Sequence, residues 1–367
     1  MTATPEAAAP AAAARRRWFK FWAAVIGLFL VVLLLVLGEV AGRLVMWAKH
    51  GVPGKSYGIY QPDPELGATH RPNSYNSNSS INNWGLRNPD DTAEAKPPGS
   101  TRIYCSGGST TFCYNLTTAE AWPLVLQANL RRLPGRERDE VLNAGQICFS
   151  VADEFALARR LLPKLKPDVV VIYSGINEGM AATSMNLAEP GVLDRLLREQ
   201  RWAVPTKNLA QTSFWMQNSV LRRFLEYRIN RWLAQQFPAR PRPAAKPRPT
   251  TVPATHPYVR ENFSQTLRLY LAFIREQGAI PVVVAHGDNG SRPRDNPNDL
   301  RNLAVEIARA EGAVVCDFEP VFDRHPRRRE CFIESGVHVT REGADVVAAE
   351  LQRMILAAQA GRARTSP

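Results

Sequence analysis

The pattern of apolar and polar positions gives the 367-residue chain three textures. The first is an uncharged run from Phe21 to Leu37, preceded by Arg15, Arg16, Arg17 and Lys20 and followed by Glu39. With Trp18 and the residues near Val40 counted as interfacial, it reaches the roughly 20 residues a helix needs to cross a bilayer core. Trp18, Trp22 and Trp47 suit the two interfaces. We read residues 1–17 as a disordered cytoplasmic tail and 18–47 as a transmembrane anchor. A cleaved signal peptide is the competing element. Its apolar core is shorter and a small-x-small site follows it, whereas Gly38-Glu39-Val40-Ala41-Gly42-Arg43 fits such a site poorly. The basic cluster ahead of the run predicts a single-pass protein with its N-terminus in the cytoplasm and the remainder exported, periplasmic in a double-membrane cell.

The second texture, residues 48–100, is rich in Gly, Pro, Asn and Ser and predicts an extended juxtamembrane lead-in. The third, 101–360, alternates short apolar runs with amphipathic ones. Strands are predicted at Arg102–Cys105, Val141–Ala144, Asp168–Tyr173, Ile280–Ala285 and Ala313–Cys316. Helices are predicted at Ala119–Leu133, Val151–Leu165, Tyr258–Gln277, Leu300–Ala310 and Arg341–Ala358. Continuous apolar strands separated by helices predict a mainly parallel sheet covered on both faces, an α/β fold. Residues 181–257 break the rhythm: a Trp/Arg/Leu-rich helical part precedes a proline-rich stretch that cannot hold a helix. They read as an insertion near the strand ends, either a lid or a passive surface excursion.

Composition changes this picture little. Hydrophobic residues are 45% and charged ones 22%, ordinary for a globular chain. The net charge of +12 is concentrated in short basic runs with no aromatic interleaving, which argues against nucleic acid as a partner. The five cysteines form no CxxC pair. Cys316 with Cys331 and Cys113 with Cys148 are possible bridges in an oxidising compartment, and buried thiols are the equal alternative.

Candidate chemistry collects where the predicted strands end. The first strand runs into Gly107-Gly108-Ser109, and in open α/β sheets ligands bind beyond the carboxyl ends of the strands. The second ends at Asn143-Ala144-Gly145 and the third leads to Asn177. The Gly145 N–H and the Asn177 amide are the donor types an oxyanion hole needs, although both residues are also ordinary turn-formers. His338 stands just before the closing helix, where Thr340 is a fair N-cap. It could take the Ser109 proton and return it to a leaving group. Of the other histidines, His50, His70 and His256 are assigned to surface or loop, His286 follows the fourth strand and could support the site, and His325 is expected to be exposed.

The blocks GGSTT with Ser109, NAG with Gly145, GIN with Asn177 and SGVHVTREG with His338 resemble, in order, the four blocks of the SGNH (GDSL-like) serine hydrolases. The lead-in segments PDPELG (62–67) and INNWGLR (81–87) resemble those of membrane-anchored bacterial members. The resemblance covers residues 51–355. It implies a three-layer α/β/α sandwich with a five-stranded sheet, Ser109 as nucleophile, His338 as base, and Ser109 N–H, Gly145 and Asn177 as oxyanion donors. Two positions depart from the family. The aspartate of the usual GDS is Gly108. The acid three residues before the histidine is Ser335, so Glu334, one residue away, becomes the candidate acid, with Asp317 and Asp323 remoter and a Ser–His dyad the alternative.

The implied activity is hydrolysis of an acyl or acetyl ester, of an envelope glycan or lipid by topology and analogy. No metal or organic cofactor is implied. An O-acyltransferase of the same fold and a non-catalytic envelope-binding module are the alternatives.

Overall fold

The computed structural model describes residues 9–184, 189, 191–206, 218–222, 224–225, 228–229, 232, 252–290 and 300–365. Most of the 181–257 insertion, and with it the lid reading, lies outside the described residues. Two compact units are formed, one from Met1–Gly51 with Ser219–Arg240, the other from Val52–Asn218 with Pro241–Pro367.

In the first unit, one helix, α1, spans Ala9–His50. It is helical from Ala9, so the described part of the expected disordered tail is ordered as helix. Residues Arg15–His50 are long and apolar enough to cross a membrane. The apolar side chains of the run are exposed all round.

The second unit is built on five strands: β1 Arg102–Gly107, β2 Glu140–Asn143, β3 Val169–Tyr173, β4 Ile280–Ala285 and β5 Val314–Asp317. Their order across the sheet is β5-β4-β3-β1-β2, and every neighbouring pair is parallel. Helices α2 Ser109–Phe112, α3 Trp122–Arg131, α4 Val151–Leu165, α5 Glu178–Ser184, α6 Val192–Arg198, α7 Pro257–Glu276, α8 Arg301–Ala310, α9 Glu319–Asp323 and α10 Arg341–Thr365 complete it.

Alternation along the strands explains the two cores. Tyr104, Leu142, Val170, Ile172 and Val283 pack under α4, α7 and α8. Ile103, Cys105, Val141, Val171 and Val282 pack on the opposite face, under α3 and α10. Because β1 lies between β2 and β3, the chain reverses its direction of winding there, and the ends of β1 and β3 open the crevice in which such sheets bind ligands.

The lead-in is less extended than expected. It forms a hairpin of Tyr60–Asp63 with Gly67–His70 and a small sheet of Ser56–Tyr57, Ser74–Tyr75 and Ser80–Ile81. Ile59, Tyr60 and Ile81 pack directly on Phe112 of α2. All five cysteines are unbridged, and all but Cys148 are buried, so neither possible disulfide forms.

Candidate active site

The chain leaves β1 through Gly107 and Gly108, and both positions need glycine for space. A Cβ at Gly107 would lie 2.0 Å from Thr111 Oγ1 and 2.9 Å from the Tyr173 carbonyl; one at Gly108 would lie 2.5 Å from Asn177 Nδ2. The turn delivers Ser109 as the first residue of the one-turn helix α2, so the Ser109 and Thr110 N–H groups have no carbonyl within the helix to meet. Cys113 ends α2 in a left-handed conformation, φ 57°.

Ser109 Oγ lies 2.8 Å from His338 Nε2, across 229 residues of sequence. The other ring nitrogen, Nδ1, is 2.7 Å from Ser335 Oγ, which also accepts the His338 backbone N–H at 3.4 Å. Tyr114 packs edge-on against the imidazole, its ring centroid 4.8 Å away. The loop is pinned on both sides of the ring: the Ile333 N–H donates to the His338 carbonyl, and the Thr340 N–H donates to the Cys331 carbonyl.

Glu334 does not take the expected place. It is exposed, and the group that meets Nδ1 is Ser335. The tight turn through Gly336, φ 77°, brings the third residue before the histidine back onto the ring and leaves its neighbour facing outward. The fold keeps the family's geometry and changes the residue in it.

The oxyanion candidates separate. Asn177 is buried, its Nδ2 beside Gly108 and donating to the Phe149 carbonyl at 2.9 Å, with a second N–H on the same nitrogen. The Gly145 N–H is occupied by Asn143 Oδ1 at 3.0 Å. A donor aimed at a side chain within its own turn is not aimed at a developing oxyanion. What Gly145 supplies is room: a Cβ there would lie 2.3 Å from the Phe112 nitrogen, so its lack of a side chain lets the loop after β2 press against α2.

A cavity of about 10 Å³ opens beside Ser109, lined by Gly108, Phe149, Ser174, Asn177 and, deeper, Glu154. Burial pushes the Glu154 carboxyl well above the usual range, and neighbouring Glu178 pushes it further. Glu178 and Asp153 are also raised by burial.

Sequence reasoning missed Arg87. Its guanidinium is fully buried and donates to the carbonyls of Phe112, Cys113 (2.8 Å), Leu116 (2.5 Å) and Asn78 (3.1 Å). It thus satisfies the carbonyl end of the helix that carries Ser109, where positive charge is favourable. The Arg in INNWGLR was visible; its partners were not.

Two histidine assignments, His70 and His325, change, and His256 stays in a loop. His70 is buried between Tyr60 and Phe112, with ring centroids 5.7 and 4.9 Å away. Burial, with Arg87 nearby, pulls its pKa down to about 3. His256 accepts the Tyr258 N–H and caps α7. His325 is half-buried, its Nδ1 3.4 Å from Cys331 Sγ and its Nε2 3.8 Å from Glu342, which also holds Arg327. His286 is buried just beyond β4.

A serine hydroxyl held against an imidazole at the switch point of a parallel α/β sheet is an arrangement that serine acyl hydrolases use. The chain belongs to the GDSL-like Lipase/Acylhydrolase family, whose profile matches residues 105–346, more than half of its length. It is therefore an ester-hydrolysing enzyme with the SGNH fold. Among solved structures it resembles the lipase/acylhydrolase of Enterococcus faecalis, with 16% identity and a TM-score of 0.43 over 70% of this chain and 95% of that one. It also resembles Axe2, an acetylxylan esterase of Geobacillus stearothermophilus, with 13% identity and a TM-score of 0.44 over 72% and 96%. No curated protein sequence matches the chain.

Proposed function

We propose that the chain cleaves an acyl or acetyl ester through a covalent intermediate on Ser109. The observation that carries this is the relay Ser109 Oγ–His338 Nε2–His338 Nδ1–Ser335 Oγ, with links of 2.8 and 2.7 Å. Ser335 Oγ accepts a hydrogen bond from Nδ1–H, a tautomer that leaves Nε2 unprotonated and able to take the Ser109 proton as Oγ attacks the ester carbonyl. The carbonyl oxygen becomes an oxyanion, held by the Ser109 N–H at the start of α2 and by the Asn177 amide. His338 then returns the proton to the departing alcohol. Water, deprotonated by the same nitrogen, attacks the acyl-serine, and His338 passes that proton to Ser109 Oγ as the acid leaves. The scheme calls on no metal or organic cofactor.

We further propose that α1 spans a membrane with the Arg15–Lys20 cluster in the cytoplasm, so that the catalytic unit acts outside it on an ester of an envelope glycan or lipid. The substrate part rests on topology alone.

A fluorophosphonate probe tests the mechanism without knowledge of the substrate. It should label the native chain and not Ser109→Ala, and p-nitrophenyl acetate turnover should be lost in parallel. Equal labelling of both proteins would remove the proposal.

A further inference from the structure

Sequence after Ser219 carries four arginines, Arg222, Arg223, Arg228 and Arg231, among Leu221, Phe224, Leu225, Ile229 and Trp232. Every described residue from 220 to 232 is helical. The five apolar residues follow the i, i+3, i+4, i+8, i+11 spacing that gathers side chains on one helical face. Phe224, Leu225, Ile229 and Trp232 are 58%, 42%, 52% and 55% exposed. A soluble surface rarely exposes so many large apolar side chains, Phe224, Leu225 and Ile229 among them, on one short stretch.

The start of this helix is fixed on α1. Glu39 accepts hydrogen bonds from Ser219 Oγ (2.9 Å), the Leu221 N–H (3.0 Å) and the Val220 N–H (3.3 Å), and from Arg43 (2.8 Å). A carboxylate on α1 thus caps a second helix from outside it, where negative charge is favourable. Gly38 and Gly42, one turn apart, open the groove for this contact: a Cβ at Gly38 would lie 3.3 Å from Leu221, and one at Gly42 2.9 Å from Val220. The contact does not extend down α1, because Leu34 and Leu35 remain 68% and 50% exposed. The second helix therefore crosses α1 and departs from it.

The place of that crossing matters. From Phe21 to Leu37 an α-helix rises roughly 25 Å, close to the hydrocarbon thickness of a bilayer. Glu39 is the first carboxylate after this run, at the depth where headgroups begin.

We propose that the helical residues described between 220 and 232 make a second membrane contact, their apolar face lying in the headgroup region of the bilayer that α1 crosses. The apolar residues enter the acyl boundary, and Arg222 and Arg228 extend to the phosphate groups along their flexible stems. This rests on the reading of α1 as a membrane-spanning helix.

The test uses the full chain in phosphatidylcholine/phosphatidylglycerol vesicles. Spin labels are placed at Leu225→Cys, Ile229→Cys and, separately, Leu30→Cys, in a Cys148→Ala background; the other four cysteines are buried. Fluorophosphonate labelling of Ser109 confirms that each variant is folded. Labels at 225 and 229 should be reached by oxygen in preference to a water-soluble nickel chelate, at a depth of about 5–10 Å below the phosphates. Labels at 225 and 229 that are fully accessible to the chelate overturn the inference. If the Leu30 label is then deep, only the second contact fails; if it too is aqueous, the spanning helix fails with it. Spin–spin broadening at 225 or 229 that disappears on dilution with unlabelled chain would assign the face to a second copy and would also overturn it.

Discussion

Ser335 Oγ stands 2.7 Å from His338 Nδ1, a hydroxyl where the family places a carboxylate. A hydroxyl can fix the tautomer and orientation of the ring, but it cannot neutralise the imidazolium that the proposed attack by Ser109 would create. Ser335→Ala should lower kcat/KM by between tenfold and about 10³-fold, short of the roughly 10⁴ seen when a triad acid is replaced and the tautomer is wrong. Ser335→Asp should favour the charged ring and move the acidic limb of the pH–rate profile upward. A profile that stays in place in both variants would detach Ser335 from the imidazole.

Gly108 tests the oxyanion assignment. Its missing side chain lets the Asn177 amide approach within 2.5 Å of where a Cβ would be. Gly108→Ala should displace that amide and reduce kcat by about 10²–10³, the cost of one oxyanion donor. The thermal midpoint should hardly move, since the displaced group is the end of a side chain. Steady-state kinetics beside a melting curve separates the two effects.

His70 should make the fold sensitive to acid. Its pKa is about 3 when folded, against 6.5 for an ordinary histidine. The unfolded chain therefore takes up this proton first as pH falls, and the stability present above pH 6.5 drains away towards pH 3. Between pH 7 and pH 5 the loss from this group comes to about 2 kcal/mol. His70→Leu should flatten that part of the curve. Urea unfolding of both proteins at pH 7 and pH 5 gives the difference.

Glu154 acts with the opposite sign. Burial raises its pKa, so the folded chain holds its proton after the unfolded chain has released it. Its contribution is most favourable at low pH and declines as pH rises from the ordinary glutamate value towards the folded one. Glu154→Gln should raise the melting temperature at pH 8 by more than it does at pH 5. An equal change at both values would show that the carboxyl does not titrate.

The sheet was legible because its strands are short continuous apolar runs, such as Val169–Tyr173, which only a doubly covered parallel sheet buries. Ser109 and His338 were legible for a related reason: each follows a strand or precedes a helix at the same edge. Glu334 was misplaced because a one-residue choice depends on the turn at Gly336, and its φ of 77° is not written in periodicity. Gly145 was assigned to the wrong task because strand position does not reveal where an N–H points. His70 and Arg87 were hidden for a third reason. Their segment lacks periodic apolar runs, so nothing local announces that it is packed against α2.

The buried guanidinium of Arg87 has a practical consequence for anyone trimming the chain. The stretch that matches the family begins at residue 105, which invites an excised catalytic fragment starting there. Such a fragment would strip three carbonyls at and just beyond the far end of the helix that carries Ser109 of their shared donor, each at a cost of about 1–3 kcal/mol. The preceding fifty residues are thus a detachable tether in appearance only: they are scaffolding for the serine, and a fragment starting near Val52 should keep the fluorophosphonate labelling that one starting at 105 loses.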